Sequence, residues 1–245
     1  MNLMDVTLRD GSYAVNFQFS EYDTKTLYQK LDQANIEYVE IGHGVGIGGG
    51  KPGEREEALC TDEEYLKAAQ MVCGTAKYGM FCIPEIAGIL ELELLKQYGA
   101  SFVRIGSPVN KVDDTKKYIE KAKELGLEVM ANYMKSYVAT PEEFSESVKK
   151  SKAYGADVIY IVDSAGNMNT DDIMKYYEIL QREGNVKTGF HGHNNLGLAV
   201  SNSLFAVKKG FDFVDTSLFG IGRSAGNAAT ELVVANLNKE QISNS

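Results

Sequence analysis

The chain has 245 residues, enough for one large hydrophobic core or two small ones. It carries 44% hydrophobic and 24% charged residues at a mean hydropathy of -0.24, and no apolar run approaches the roughly 18 residues that a membrane-spanning helix needs. A formal net charge of -9 argues against broad binding to nucleic acid or to anionic membranes, while leaving room for a local basic pocket that takes a small anion.

Cys60, Cys73 and Cys82 are odd in number and lack paired-motif spacing, so reduced thiols in a cytoplasmic protein are expected. The first ten residues show no basic, apolar leader pattern and read directly as a strand. Strand-like runs then recur at residues 3–8, 38–41, 78–83, 102–105, 128–133, 158–162, 187–191 and 213–217. Helical patterns fill the gaps at 23–35, 62–73, 85–98, 113–125, 141–154, 171–182, 196–209 and 226–238. Thr140-Pro141-Glu142-Glu143 and Asn169-Thr170-Asp171-Asp172 each place a capping side chain ahead of first-turn acids. Gly99, Gly126, Gly155 and Gly210 each follow a helical run, where a left-handed residue closes the last turn. Eight strands alternating strictly with eight helices call for parallel pairing through right-handed crossovers. The length suits a closed (β/α)8 TIM barrel in a single domain spanning 1–245. An open, doubly wound sheet is the alternative architecture.

In a (β/α)8 barrel the active site lies where strands end and βα loops begin. Two of the three histidines fall at one such end, in Gly189-Phe190-His191-Gly192-His193-Asn194-Asn195. Alternate residues of an extended segment share a face, so His191 and His193 present two imidazoles side by side, the geometry of half a metal site. Taken alone, the pair could equally be a chance arrangement on a half-buried strand. The first strand runs into Arg9-Asp10-Gly11. Asp10 with the two histidines would make a carboxylate-plus-two-imidazole set that leaves coordination positions open for substrate oxygens. Arg9 could hydrogen-bond an enolate as its charge develops. The alternative for Arg9 and Asp10 is a surface ion pair in a turn.

The second strand leads into a loop with six glycines between residues 42 and 50, and His43, the third histidine, sits within it. A dinucleotide-binding loop is the competing idea, but the glycines lack the required spacing and no helix starts at once. Asp163 ends the sixth strand as a second carboxylate, either at the site or orienting its loop. Arg104 stands one step before the end of the fourth strand and could point either way. Gly220 through Asn227 follow the eighth strand, and Asn227 could offer a neutral oxygen to a metal.

With these pieces assembled, the sequence resembles the metal-dependent aldolase/acyl-lyase superfamily of (β/α)8 enzymes, which includes HMG-CoA lyases, isopropylmalate synthases and pyruvate carboxyltransferases. Within it the chain is most similar to the 4-hydroxy-2-oxovalerate aldolases. Five motifs carry the likeness. They are Thr7-Leu8-Arg9-Asp10-Gly11-Ser12, Glu40-Ile41-Gly42-His43-Gly44, Tyr160 through Gly166, His191 through Leu198, and Asp215 through Asn227 ahead of Thr230-Glu231. The resemblance implies Mn2+ or Mg2+ held by Asp10, His191 and His193, with Asn227 as a further ligand or close neighbour. It implies that Arg9 stabilises a pyruvate enolate. Ser164, Asn195 and Gly222, which fall within the motifs, are the substrate contacts it suggests.

Two departures follow. Aldolases of this kind carry a histidine two residues after the glycine of the first motif, as base for the substrate hydroxyl; here that place is Tyr13. A phenol with an ordinary pKa near 10 is a poor base at neutral pH, so Tyr13 would donate a hydrogen bond, and His43 or a metal-bound water would move the proton. Those aldolases also have a C-terminal extension that docks an acylating aldehyde dehydrogenase. The sequence stops at Ser245, just after the eighth helical pattern, and that partner is therefore not expected. The expected partners are a small 2-oxo acid and an aldehyde, with neither nucleic acid nor membrane, and a homo-oligomer is left open. A synthase or transferase of the same superfamily, and a degenerate barrel that binds metal without catalysis, are the alternative functions.

Overall fold

The structure, a computed structural model, describes residues 1–243, with side chains through residue 238. Eight strands alternate with eight helices: β1 Asn2–Asp5, α1 Glu21–Gln33, β2 Tyr38–Ile41, α2 Asp62–Gln70, β3 Lys77–Cys82, α3 Leu92–Gln97, β4 Phe102–Pro108 and α4 Lys116–Glu124, then β5 Glu128–Met134, α5 Pro141–Tyr154, β6 Val158–Asp163, α6 Thr170–Glu183, β7 Lys187–Gly192, α7 Ala199–Lys209, β8 Phe213–Thr216 and α8 Thr230–Ser243. The strands close into one ring in chain order. The parallel ladder from Asn2↔Phe213 to Asp5↔Thr216 joins β8 back to β1, so the sheet is a (β/α)8 barrel and not an open one. No helix among the described residues is long and apolar enough to cross a membrane.

Alternation along each strand sorts the side chains. Inward positions near the strand starts are apolar, with Met4, Tyr38, Phe102, Met130, Val158, Tyr160 and Phe213 forming one plug; burying each contributes roughly 1.5–3 kcal/mol. Gly189 keeps the plug open on one side, because a Cβ there would lie 2.5 Å from the Tyr160 ring. Two residues further along the strands the inward positions turn polar: Glu40, Arg104, Asn132, His191 and Asp215, all buried. Outward positions pack on the helices in two larger apolar clusters. Helix starts are fixed by reciprocal caps at Ser20–Asp23, Thr61–Glu64, Thr140–Glu143 and Asn169–Asp172. Gly155 and Gly210 close α5 and α7 at φ 108° and 91°, conformations that favour glycine.

Several element boundaries differ from the sequence pattern by three residues or more, and three of them have a clear local cause. β1 ends at Asp5, because its ladder partner strand ends at Thr216; residues 6–9 form a turn that leads into a 3-10 helix at Asp10–Val15. α3 starts at Leu92, since Pro84 and Gly88 hold the preceding segment in turns. α8 starts at Thr230, leaving residues 226–229 as loop.

Asp5 ties both ends of this region together. Its Oδ1 accepts the Thr7 N–H at 2.9 Å, while its Oδ2 accepts the hydroxyls of Thr7 at 3.0 Å and Thr230, the first residue of α8, at 3.4 Å. Burial pushes the Asp5 carboxyl up to about 7 from an ordinary 3.8. The folded state therefore binds this proton more tightly than the unfolded chain. The stability it contributes is complete below pH ~4 and is lost as pH rises through about 7. Asp5→Asn, which keeps a neutral group there, is expected to be more stable than the parent at pH 8 by up to about 4 kcal/mol and close to it at pH 4. Urea denaturation at the two pH values measures this.

Candidate active site

The polar layer opens into a cavity of about 240 Å3 at the C-terminal end of the barrel, lined by Arg9, Asp10, Tyr13, Asn132, Ser164, His191, His193 and their neighbours. Asp10 is the first residue of the 3-10 helix, and its N–H donates to the Val6 carbonyl at 2.8 Å. His191 is the last inward residue of β7. His193 lies just past the strand, and its N–H donates to the Asp163 carbonyl at 3.2 Å.

Asp10, His191 and His193 are all buried, and one ligating atom from each lies within 4.8 Å of the others. Asp215 accepts from His191 Nδ1 at 2.8 Å and the Gly226 carbonyl accepts from His193 Nδ1 at 3.2 Å. These bonds place both ring protons on Nδ1 and leave the Nε2 lone pairs facing each other at 3.4 Å. Two lone pairs that close repel unless a cation lies between them. The Asp10 Oδ2 and Asn227 Oδ1 atoms are likewise buried without a partner. Gly222 backs this corner: a Cβ there would come within 2.2 Å of the Asn227 amide and 3.1 Å of Asp10 Oδ2. Donors left unsatisfied in this way fit a divalent cation.

Electrostatics agree with that use. Burial alone would push the Asp10 carboxyl up, but the Arg9 guanidinium and then the two imidazoles outweigh it and hold it below its ordinary range. Burial, then the neighbouring His191, holds His193 down at about 4, so its imidazole is neutral and able to ligate at pH 7.

Behind the donors runs a line of buried ion pairs. Arg9 Nε donates to Glu40 at 2.7 Å, Arg104 bridges Glu40 at 3.1 Å and Asp215 at 2.6 Å, and Asp215 reaches His191. The Arg104 guanidinium also lies 4.3 Å from the Tyr160 ring centroid and donates to Asn132 Oδ1 at 3.3 Å. Arg104 thus points inward, to a supporting position. Arg9 Nη1 contacts Asp10 at 3.3 Å and the Gly44 carbonyl at 3.4 Å. Arg9 itself lines the cavity, with its guanidinium 4.7 Å from the Phe81 ring centroid.

The remaining sequence candidates separate. Tyr13 lines the cavity, and burial raises its phenol further above 10, so it stays protonated. Ser164 also lines it; its Oγ accepts the Lys135 N–H at 3.0 Å and keeps its own proton to donate. His43 does not reach the cavity. Its Nε2 bonds the Glu56 carbonyl at 2.9 Å, its Nδ1 accepts from Val45 N–H at 3.3 Å, and its ring packs on Phe17. Asn195 is exposed and joins two loops, donating to the Ala165 carbonyl at 2.9 Å and accepting from Ala225 N–H at 3.2 Å. Asp163 accepts the N–H groups of Asn167 and Met168 at 3.1 and 2.9 Å and so shapes its loop. Sequence reasoning missed Glu40, Asn132 and Asp215 as site residues. Their signal was present: each is a polar residue in register with inward-facing apolar ones.

A model of the HMGL-like family matches residues 1–245. The chain belongs to the HMGL-like family. It is 39% identical to an oxaloacetate decarboxylase of Mycobacterium tuberculosis over 97% of its length and 70% of that protein's. It is also 39% identical to a 4-hydroxy-2-oxovalerate aldolase of Carboxydothermus hydrogenoformans, over 98% of its own length and 71% of the relative's. Among solved structures, the HMG-CoA lyase of Bacillus subtilis superposes with a TM-score of 0.77 at 18% identity, covering 97% of this chain and 85% of that one, which shows the shared fold.

Removing the acceptor behind His191 tests the tautomer argument. Asp215→Asn is expected to weaken Mn2+ binding roughly 10- to 100-fold, read by calorimetric titration, because the amide can donate to His191 Nδ1 and turn its proton onto Nε2.

Proposed function

We propose that this HMGL-like protein is a divalent-metal-dependent aldolase that cleaves or forms the C3–C4 bond of a 4-hydroxy-2-oxo acid, with pyruvate as one product. The observation that carries the reading is the convergence of Asp10, His191 and His193 with Arg9 in one cavity. The curated relatives named 4-hydroxy-2-oxovalerate aldolase support it. A carboxylate oxygen, two imidazoles and the carbonyl of Asn227 suit Mn2+ or Mg2+, and we assign the site to one of these.

When bound, such a cation supplies Lewis-acid polarisation of the 2-oxo group. The protein's own residues do the rest. The Arg9 guanidinium donates to the C2 oxygen as the C3–C4 electron pair forms the C2=C3 double bond and the carbonyl π pair moves onto that oxygen, giving the enolate. The hydroxyl on C4 loses its proton and C4 departs as the aldehyde carbon; C3 then takes a proton to give pyruvate. The Ser164 hydroxyl and the free Asn132 amide donate to the 2-oxo acid's carboxylate. Glu40 holds Arg9 from behind, so its guanidinium needs no reorganisation during the step.

Tyr13 lines the cavity, and we assign it the hydroxyl proton. With its phenol held above 10, only a small phenolate fraction can act as base, and cleavage should rise about tenfold per pH unit between pH 7 and 9. Tyr13→His should raise pyruvate release at pH 7 and bring its pH rise down to about 6–7; a lower rate at every pH would reject Tyr13 as the proton acceptor. A second reading rests on the same residue. Loss of CO2 from a 2-oxo dicarboxylic acid reaches the same enolate with no hydroxyl to deprotonate, and a relative 39% identical is named for that reaction. Parallel assays with oxaloacetate and with 4-hydroxy-2-oxopentanoate separate the two. The aldolase reading expects metal-dependent pyruvate release from the hydroxy acid, and its loss in Asp10→Ala and His191→Ala; release that persists in both variants would overturn it.

A further inference from the structure

The cavity has a second electrostatic feature that enolate chemistry leaves unused. Three cations line it, Arg9, Lys135 and Arg223, against one carboxylate, Asp10. Arg9 is engaged by Glu40 and Asp10. Lys135 and Arg223 form no ion pair among the described residues, in a chain whose net charge is -9.

Both side chains are exposed at the mouth, but each springs from a fixed backbone position. Lys135 follows β5 directly at φ 57°, a left-handed conformation that non-glycine residues rarely adopt. Its N–H is held by Ser164 Oγ at 3.0 Å. The left-handed turn stops the strand and leaves the lysine at the cavity rim. Arg223 belongs to the loop after β8, next to Ser224 at φ 57°. Its guanidinium lies 5.5 Å from the centroid of the Tyr13 ring, which itself lines the cavity. β5 and β8 are three places apart around the closed ring, so the two cations reach the mouth from separate sides.

We propose that Lys135 and Arg223 form a subsite for an anionic group at the far end of the substrate. The preferred substrate is then a 2-oxo acid with a second negative group, a carboxylate or a phosphate, beyond the bond that breaks. This deepens the aldolase reading and rests on it. The cavity of about 240 Å3 suits a small doubly charged acid. Arg9, Ser164 and Asn132 take the 2-oxo acid end, and the two unpaired cations take the tail. An uncharged tail would leave both in water and gain nothing from them.

Binding of two unreactive ligands to the Mn2+-loaded protein tests this without relying on turnover. 2-Oxoglutarate and 2-oxopentanoate have the same carbon chain and differ only in the terminal carboxylate. Calorimetry at low salt should find 2-oxoglutarate about tenfold tighter, with the gap narrowing as salt is added. In Lys135→Met/Arg223→Met the two affinities should converge, while Lys135→Arg/Arg223→Lys, which keeps both charges, should preserve the gap. 2-Oxo-4-phosphonobutanoate, titrated alongside, tells phosphate from carboxylate by which ligand binds tighter in the parent and loses more in the Met variant. Equal affinities in the parent, or a gap that survives the Met variant, would overturn the subsite. Failure to release pyruvate from hydroxy acids with or without the second carboxylate would reject the aldolase reading, and the binding ratio would still judge the subsite.

Discussion

Arg9, Glu40, Arg104, Asp215 and His191 form one unbroken line of hydrogen-bonded charge across the inside of the barrel. Taking such groups out of water is expensive, and a buried ion pair seldom adds net stability over an apolar packing of the same volume. The barrel nonetheless keeps four of them on inward positions of β2, β4, β7 and β8, directly above an apolar plug, and Arg9 in the turn after β1. What the line provides is position. Glu40 fixes the plane of Arg9, and Asp215 fixes the tautomer of His191, so one donor edge and one lone pair are aimed into the same cavity before any ligand arrives. Removing Arg104 would leave the buried Asp215 carboxylate with no cation beside it, only the His191 N–H, at a cost of about 3–5 kcal/mol.

The balance of these charges explains what the cavity attracts. Two buried guanidiniums, Arg9 and Arg104, face three buried carboxylates, Asp10, Glu40 and Asp215. With His193 neutral and both imidazoles in the Nδ1–H form, the excess is one negative charge, which a divalent cation turns into one positive. A 2-oxo acid carries the single negative charge that closes the account. Lys135 and Arg223 lie outside this balance, at the rim, and add two further positive charges. A cavity lined in this way concentrates small anions even though the whole chain is acidic.

The fold and the metal donors were legible because both depend on local periodicity. Alternation put His191 and His193 on one face, and helix caps such as Thr140–Glu143 and Asn169–Asp172 marked the alternating elements of a ring in which β8 stands between β7 and β1. The loop histidine was misleading. Glycine density around His43 suggested a ligand-facing loop, yet the Glu56 carbonyl, thirteen residues away, turns the ring into the protein. That contact depends on how the loop folds back, which spacing does not encode. Arg104, Glu40 and Asp215 lay in the opposite situation: each has a clear inward register, but a charge inside an apolar strand gains meaning only once its partners across the ring are known. Asn195 and Gly222 stand near the site for structural reasons, one joining two loops and the other making room for the Asn227 amide.

The central claim is that this site stabilises a pyruvate enolate through Arg9 and a divalent cation held by Asp10, His191 and His193. Exchange of the methyl protons of pyruvate with solvent deuterium, followed by NMR, reports enolate formation with no aldehyde and no bond cleavage. The account predicts exchange that requires added Mn2+ or Mg2+ and disappears in Arg9→Ala. Exchange that proceeds equally without metal, or that Arg9→Ala leaves at the parent rate, would contradict it.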